Sequence, residues 1–184
     1  MGLDYTDGCV NFRDVGEYIN LITGDKHLPE GMIFRGGSID YIKDESEIGF
    51  PKSIFNLRNR EDYSGLKGKY FHFPMSNKIE KYNTNLKEVR RWLNQIMKEF
   101  ENPELEYPVL IHCLSGKDRT GIVIASLLLI LGFDLNSIIE EYLLSEGEVR
   151  EELIRMSLEG IGHPEQYFDK IDLDKIKSNL QRKK

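Results

Sequence analysis

The feature that most limits how this chain can fold is a three-part stretch in its second half. A short apolar, β-branched run, Val109-Leu110-Ile111, leads into the polar turn His112-Cys113-Leu114-Ser115-Gly116-Lys117-Asp118-Arg119-Thr120-Gly121, and the apolar segment Ile122 to Leu131 follows directly. That order reads as strand, turn and buried helix. Gly116 permits backbone angles that a side chain would forbid, so successive N–H groups can turn toward one spot that also faces a helix N-terminus. The turn is therefore expected to form a cup for a tetrahedral anion. Cys113 stands at its base, where thiols ionise more readily than free cysteine. Arg119, six residues on, is placed for its planar guanidinium to grip two oxygens of the same anion.

Each residue alone has a bland reading. A buried cysteine is a common core residue and a helix-leading arginine is commonly a surface charge. The combination of thiol, glycine, basic neighbours and strand-to-helix setting is what points to chemistry. The turn is not a nucleotide-binding Gly-x-x-x-x-Gly-Lys-[Ser/Thr] loop, because Ile111 and Asp118 occupy positions that would require glycine and a hydroxyl.

Cys113 to Arg119 resembles the Cys-x5-Arg signature of the cysteine-dependent phosphatases. The fuller His-Cys-x-x-Gly-Lys-Asp-Arg-Thr-Gly form is similar to the bacterial-type tyrosine and dual-specificity subgroup. Further stretches resemble the same family in the same order: Asn11 to Gly16, Phe34-Arg35, Asn56-Leu57-Arg58 with Glu61, and Glu141 to Ser145. The resemblance implies phosphomonoester hydrolysis with Cys113 as nucleophile, without metal or other cofactor. It also implies that Arg13 and Asp14 support the wall of the phosphate site.

Strands alternate with helices along the chain, so the expected architecture is a single α/β domain over residues 1–184, with a central, mostly parallel sheet of about four to five strands flanked by helices. Short strands are expected at Tyr18 to Ile22, Met32 to Phe34, Ser53 to Leu57, Tyr70 to Phe73 and Val109 to Ile111. Ser38 is expected to cap a short helix through about Ile48. From Thr84 to Phe100 apolar residues recur at helical spacing, with Trp92 read as packing. After Gly132, Asp134 or Asn136 is expected to cap one long helix running to about Met156, with a break at Ile161 to Pro164 before one or two short helices. The cup then lies beyond the carboxyl end of a parallel strand, where open α/β sheets bind ligands.

The reaction expected is a pair of displacements at phosphorus through a cysteinyl-phosphate. Backbone N–H groups of Leu114, Ser115, Gly116, Lys117, Asp118 and Arg119 hold the equatorial oxygens together with the Arg119 fork. Thr120 either donates a hydroxyl hydrogen bond to the Cys113 sulfur or is an ordinary first-turn residue. Many relatives supply the leaving-group proton from an aspartate upstream, but Pro74 to Pro108 contains none. Asp118, inside the turn, is the candidate acid, and Glu80 is the alternative in a suitable loop. Asn56 stands where relatives carry aspartate, which leaves a hydrogen bond there but no acid proton. Arg58 and Glu61 are read as a pair across one loop, and His112 as orienting loop backbone. In the family it resembles, lysine at the position of Lys117 goes with tolerance of phosphoinositide headgroups, so the resemblance implies that Lys117, with Lys78 and Lys81, suits a polyanionic substrate.

The substrates expected are a phosphorylated protein or, as the alternative, a phosphoinositide or inositol phosphate; a non-catalytic phospho-binding module is the reading from a different class. Arg119 and Thr120 disfavour a sulfurtransferase. A net charge of −6 disfavours nucleic acid. The longest apolar run is too short to span a bilayer, and the first residues lack the charge and apolar core of a secretory signal. Two cysteines, Cys9 and Cys113, build no disulfide framework and suit a reduced, cytoplasmic setting, although Cys9 could pair reversibly with Cys113 if folding brings them together. His27, His72 and His163 have no ligand spacing, so no metal site is expected. Lys175, Lys177, Arg182, Lys183 and Lys184 make the C-terminus basic, which suits a solvated helix end or contact with an anionic membrane, and the Met1-Gly2 pair followed by Thr6 loosely fits a myristoylation motif.

Overall fold

The computed structural model describes residues 3–62 and 65–181, so the Met1-Gly2 pair and the last three basic residues lie outside the described residues. Five strands form one sheet in the order β1-β2-β5-β3-β4: β1 Arg13–Asp14, β2 Ile33–Gly36, β3 Ser53–Asn56, β4 Lys69–His72 and β5 Val109–His112. β2, β5, β3 and β4 run parallel, and only the two-residue β1 is antiparallel to its neighbour. This is the mostly parallel α/β architecture that the alternating pattern implies.

β5 is the middle strand and is buried along its whole length, which is why it reads as an uninterrupted apolar run. Its last residue, His112, is in register with Gly36 on one side and Asn56 on the other. The loops that leave β2, β5 and β3 therefore emerge together at one edge of the sheet.

Seven helices accompany the strands among the described residues: α1 Val15–Thr23, α2 Lys87–Glu101, α3 Asp118–Leu131, α4 Leu135–Leu143, α5 Glu151–Ile161, α6 Pro164–Tyr167 and α7 Leu173–Gln181. α3 is buried on nearly every face, as its composition requires. α2 buries Val89, Trp92, Leu93, Ile96, Met97 and Phe100 and turns its charged residues outward. Trp92 also donates its indole N–H to the Phe73 carbonyl at 2.9 Å, which confirms it as a packing residue.

Three elements differ from their expectation. Tyr18 to Ile22 is part of helix α1, not a strand. The Asp14 carboxylate accepts hydrogen bonds from the N–H groups of Gly16 and Glu17, and Gly24 closes the helix in the left-handed region. Val15 and Ile19, one turn apart, are buried while Tyr18 and Leu21 stay exposed, so the period is helical. Ser38 caps no helix: its hydroxyl bonds Asp40, and Asp44 instead caps a single 3-10 turn, Glu45–Ile48. The long helix expected to reach Met156 is two helices, separated by Leu144 to Arg150 with Gly147 at φ 94°.

Candidate active site

The turn after β5 is locked onto the end of β2 by contacts only glycine allows. Gly116 has φ 71°, and a Cβ there would stand 2.6 Å from the Gly36 carbonyl carbon and 2.7 Å from the Gly37 nitrogen. A Cβ on Gly37 would meet the Leu114 carbonyl oxygen at 2.8 Å. The two loops thus touch backbone to backbone, and Ser38 N–H donates to Leu114 O at 2.8 Å. Asn11, at φ 57°, ties the outer side: its Nδ2 donates to Ser115 O at 2.7 Å, and its Oδ1 accepts the Glu146 N–H at 2.6 Å. Lys117 Nζ reaches the Glu148 carbonyl, so the α4–α5 break is a strap across the loop. This charge is tethered to the strap, not left loose at a rim.

Among the described residues, no hydrogen bond is donated by the backbone N–H groups of Leu114 to Arg119 to a protein acceptor; Gly121 N–H, to Lys117 O at 2.7 Å, is the first of the helix to be satisfied. These are the orphan donors of a helix N-terminus extended backward by a turn. Cys113 is 1% exposed at the base of this loop. Arg119 is 8% exposed, and its Nη1 donates to the Leu57 carbonyl at 2.9 Å, at the carboxyl end of β3. That one bond fixes the guanidinium plane, while Nε and Nη2 bond no acceptor among the described residues.

Thr120 does not donate to the sulfur; its hydroxyl is directed at the Gly36 carbonyl, 3.5 Å away. Cys9 is brought to the same strand end. Its Sγ lies 3.7 Å from Gly37 O and so close over Gly36 that a Cβ there would meet it at 2.5 Å; burial pushes its thiol up to about 12. Tyr5 lies within electrostatic reach of Cys113 and Asp118: burial first, then the negative charge of both groups, raises its phenol.

Beneath the loop is a buried ionic network that sequence reasoning missed except as family resemblance. Arg35, fully buried, donates Nη1 to Glu141 Oε2 at 2.5 Å and Nη2 to Gly116 O at 2.9 Å. Arg13 donates Nε to the other Glu141 oxygen at 2.9 Å and Nη2 to Glu141 O and Ser145 Oγ. Arg13 therefore supports the site through Glu141, while Asp14 caps α1 with Oδ1 and accepts the Gly31 N–H on Oδ2 at 2.5 Å, holding the turn that leads into β2. Burial lowers Arg35 to about 10, with Glu141 and the Cys113 charge acting against that shift, so a permanent cation sits within reach of the sulfur.

A second network flanks β5. His112 Nε2 bonds Asp62 Oδ2 at 2.7 Å, and Asp62 Oδ1 accepts from Arg58. Arg58 also bonds both Asp40 oxygens, at 2.8 and 3.0 Å. The expected Arg58–Glu61 pair is thus replaced by Asp40 and Asp62, and His112 orients a carboxylate where loop backbone was expected. Asn56 accepts from Arg58 N–H at 2.7 Å and donates to Arg60 O and Tyr70 Oη, which keeps its role to hydrogen bonding.

Asp118, first residue of α3, accepts a hydrogen bond from Tyr82 Oη at 2.6 Å, and Tyr142 Oη lies 2.8 Å from Tyr82 Oη. Glu80 is exposed and bonds the Tyr82 N–H. Lys78 is exposed and Lys81 half-buried on the same loop. No group of three or more His, Cys, Asp or Glu among the described residues is arranged to hold a metal ion. No helix among them is long and apolar enough to cross a membrane.

A profile of the tyrosine phosphatase family matches residues 5–171, which takes in every element from the Tyr5 segment through α6. The chain belongs to the tyrosine phosphatase family. It is 46% identical over 50 residues to the triple specificity protein phosphatase PtpB of Mycobacterium tuberculosis; that stretch is 27% of this chain and spans only 18% of that relative's length. Among solved structures, the Siw14 catalytic core aligns with 83% of this chain and 89% of its own, at 21% identity and a TM-score of 0.52, a likeness of fold. The core catalytic domain of PP-IP phosphatase SIW14 from S. cerevisiae, in complex with citrate, aligns with 83% of this chain and 89% of its own, at 22% identity and a TM-score of 0.47. As a member of this family, the chain carries its Cys-x5-Arg turn directly after β5, the central strand of the sheet.

Proposed function

We propose that this phosphatase hydrolyses phosphate monoesters on protein side chains, tyrosine or dual-specificity in range, through a cysteinyl-phosphate. One observation carries the reading: the buried Cys113 and, unpaired among the described residues, the N–H groups of Leu114 to Arg119 and two nitrogens of the Arg119 guanidinium belong to a single turn at the N-terminus of α3. Substrate phosphate oxygens take the backbone donors and the two free Arg119 positions. Cys113 Sγ then attacks phosphorus, the P–O bond to the side chain breaks, and Asp118 gives its proton to the departing oxygen. A water attacks the cysteinyl-phosphate, Asp118 takes a proton from it, and the P–S bond breaks to return the thiolate. Leu114, Ser115, Gly116, Lys117 and Thr120 serve as the binding loop. Metal takes no part in these steps, and the reading is compatible with a cytoplasmic setting.

The test is phosphate release from phosphotyrosine peptide, phosphoserine peptide and phosphoinositide by the native chain, Cys113→Ser and Asp118→Asn. The expected order is phosphotyrosine first, with turnover abolished in Cys113→Ser. Preferential phosphoinositide hydrolysis would reassign the substrate, and binding without turnover by the native chain would replace the enzyme with a phospho-binding module.

A further inference from the structure

Asp118 does not stand alone in its turn. The segment between β4 and α2 brings in Tyr82, which is 3% exposed and whose hydroxyl donates to Asp118 Oδ1 at 2.6 Å. A phenol has one proton to donate. With that proton committed to Asp118, the 2.8 Å bond between the two phenols must be donated by Tyr142, so the chain runs Tyr142 to Tyr82 to Asp118.

Both phenols are held by their surroundings. The Tyr82 carbonyl accepts from Ser157 Oγ at 2.9 Å, and the next turn is pinned by Thr84 Oγ1 to Ser157 O at 2.7 Å. The Tyr142 ring fills the place a Cβ on Gly121 would take, 2.7 Å from it, in the same first turn of α3 that carries Asp118. The rings meet edge to face, 6.5 Å between centroids. Phenylalanine would fill this space equally well, whereas two buried hydroxyls require partners. Tyr82 finds its partner in Asp118, the one carboxylate of the loop, and Tyr142 finds its own in Tyr82.

We propose that Tyr82, braced by Tyr142, is a positioning residue that presents Asp118 to the leaving oxygen of the bound phosphate ester. The bond occupies Oδ1 and leaves Oδ2 to carry the transferred proton, so the same geometry serves Asp118 as acid in the first step and as base in the second. Burial, then the bonds to Asp118 and Tyr142, pushes the Tyr82 phenol far above its ordinary value, so it stays a donor throughout the working pH range. The proposal rests on Asp118 being the general acid.

The experiment compares native protein, Tyr82→Phe, Tyr142→Phe, Asp118→Asn and the Tyr82→Phe/Asp118→Asn double variant, on an activated aryl phosphate and on an alkyl phosphate. An alkyl leaving group needs the proton and an activated phenolate does not. For Tyr82→Phe, kcat/KM on the alkyl ester, which reports the steps through P–O cleavage and not the shared hydrolysis of the cysteinyl-phosphate, falls roughly tenfold, the scale of one hydrogen bond to a charged group, with kcat/KM on the aryl ester nearly unchanged. Tyr142→Phe shows the same split at smaller size, and the double variant is no worse than Asp118→Asn alone. Equal losses on both esters for Tyr82→Phe, or a loss that multiplies in the Asp118→Asn background, would overturn the positioning role and leave the acid assignment standing. An equal loss on both esters for Asp118→Asn would instead remove the acid assignment and the proposal with it. Should Tyr82→Phe fold poorly by thermal melt, the Tyr142→Phe split decides alone, and no split there overturns the proposal.

Discussion

Gly116 has to satisfy two constraints at once, a left-handed φ of 71° and a backbone approach that leaves no room for a methyl group. Alanine there is strained by about 1–2 kcal/mol from the backbone angle alone. The larger effect is on catalysis, because the Gly36–Gly37 backbone cannot retreat without moving β2. Gly116→Ala should therefore reduce kcat/KM by about 100-fold, the cost of about 1 Å of misplacement, while circular dichroism stays close to native; near-native kcat/KM would show that the loop tolerates the shift. The sequence made this glycine legible, since a turn between apolar strand and apolar helix needs one. The partners Gly36 and Gly37 were not legible as such, because their role is contact with a loop more than seventy positions away in the chain.

The elements converge because their last residues share one register, and the side chains that stabilise that edge are ionic. Asp62, with a nearly inaccessible carboxylate, is pushed up by burial, but the bonds and charges of His112 and Arg58 outweigh this and hold it below the ordinary carboxylate value. Its folded value is depressed, so its contribution to stability is present above the unfolded value of about 3.9 and is lost as pH falls through the folded one. Asp62→Asn should cost about 3 kcal/mol at neutral pH, at the low end for breaking a buried pair because Arg58 keeps Asp40. The variant's urea midpoint should also fall less steeply than the native one below about pH 4; parallel pH profiles would contradict this account. This network was hard to read from sequence. Arg58 has acidic neighbours at Glu61 and Asp62, and only the fold shows that Asp62 turns inward while Asp40 arrives from another loop. The strands of the parallel core were legible as short apolar runs, as was α2 from its period. α1 reads as a strand because Tyr18 to Ile22 is a short, mostly apolar run with β-branched Ile19 and Ile22, and local capping by Asp14 decides for helix. The α4–α5 break was missed because its residues favour helix, while Gly147 and the tether from Asn11 to Glu146 impose a turn.

At the scale of the whole molecule, the chain carries net charge −6 yet gathers Arg13, Arg35, Lys117 and Arg119 around one loop. An anion that binds only the folded loop must stabilise the protein as a whole. Tungstate, an inert tetrahedral anion, at about 100 times its Kd should add about 2.7 kcal/mol, or roughly 5–10 °C in Tm for a domain of this size. Arg119→Ala should lose most of that shift; an equal shift in the variant would place the anion elsewhere. The central claim is that the Cys113 sulfur becomes bonded to phosphorus during turnover. It is tested most directly by acid quench of the native protein during steady-state hydrolysis of an aryl phosphate, followed by peptide mass spectrometry. The account predicts one phosphoryl group on the peptide containing Cys113, labile on return to neutral pH and absent in Cys113→Ser. Turnover with no phosphoryl group on that peptide, or with one on another residue, would contradict it.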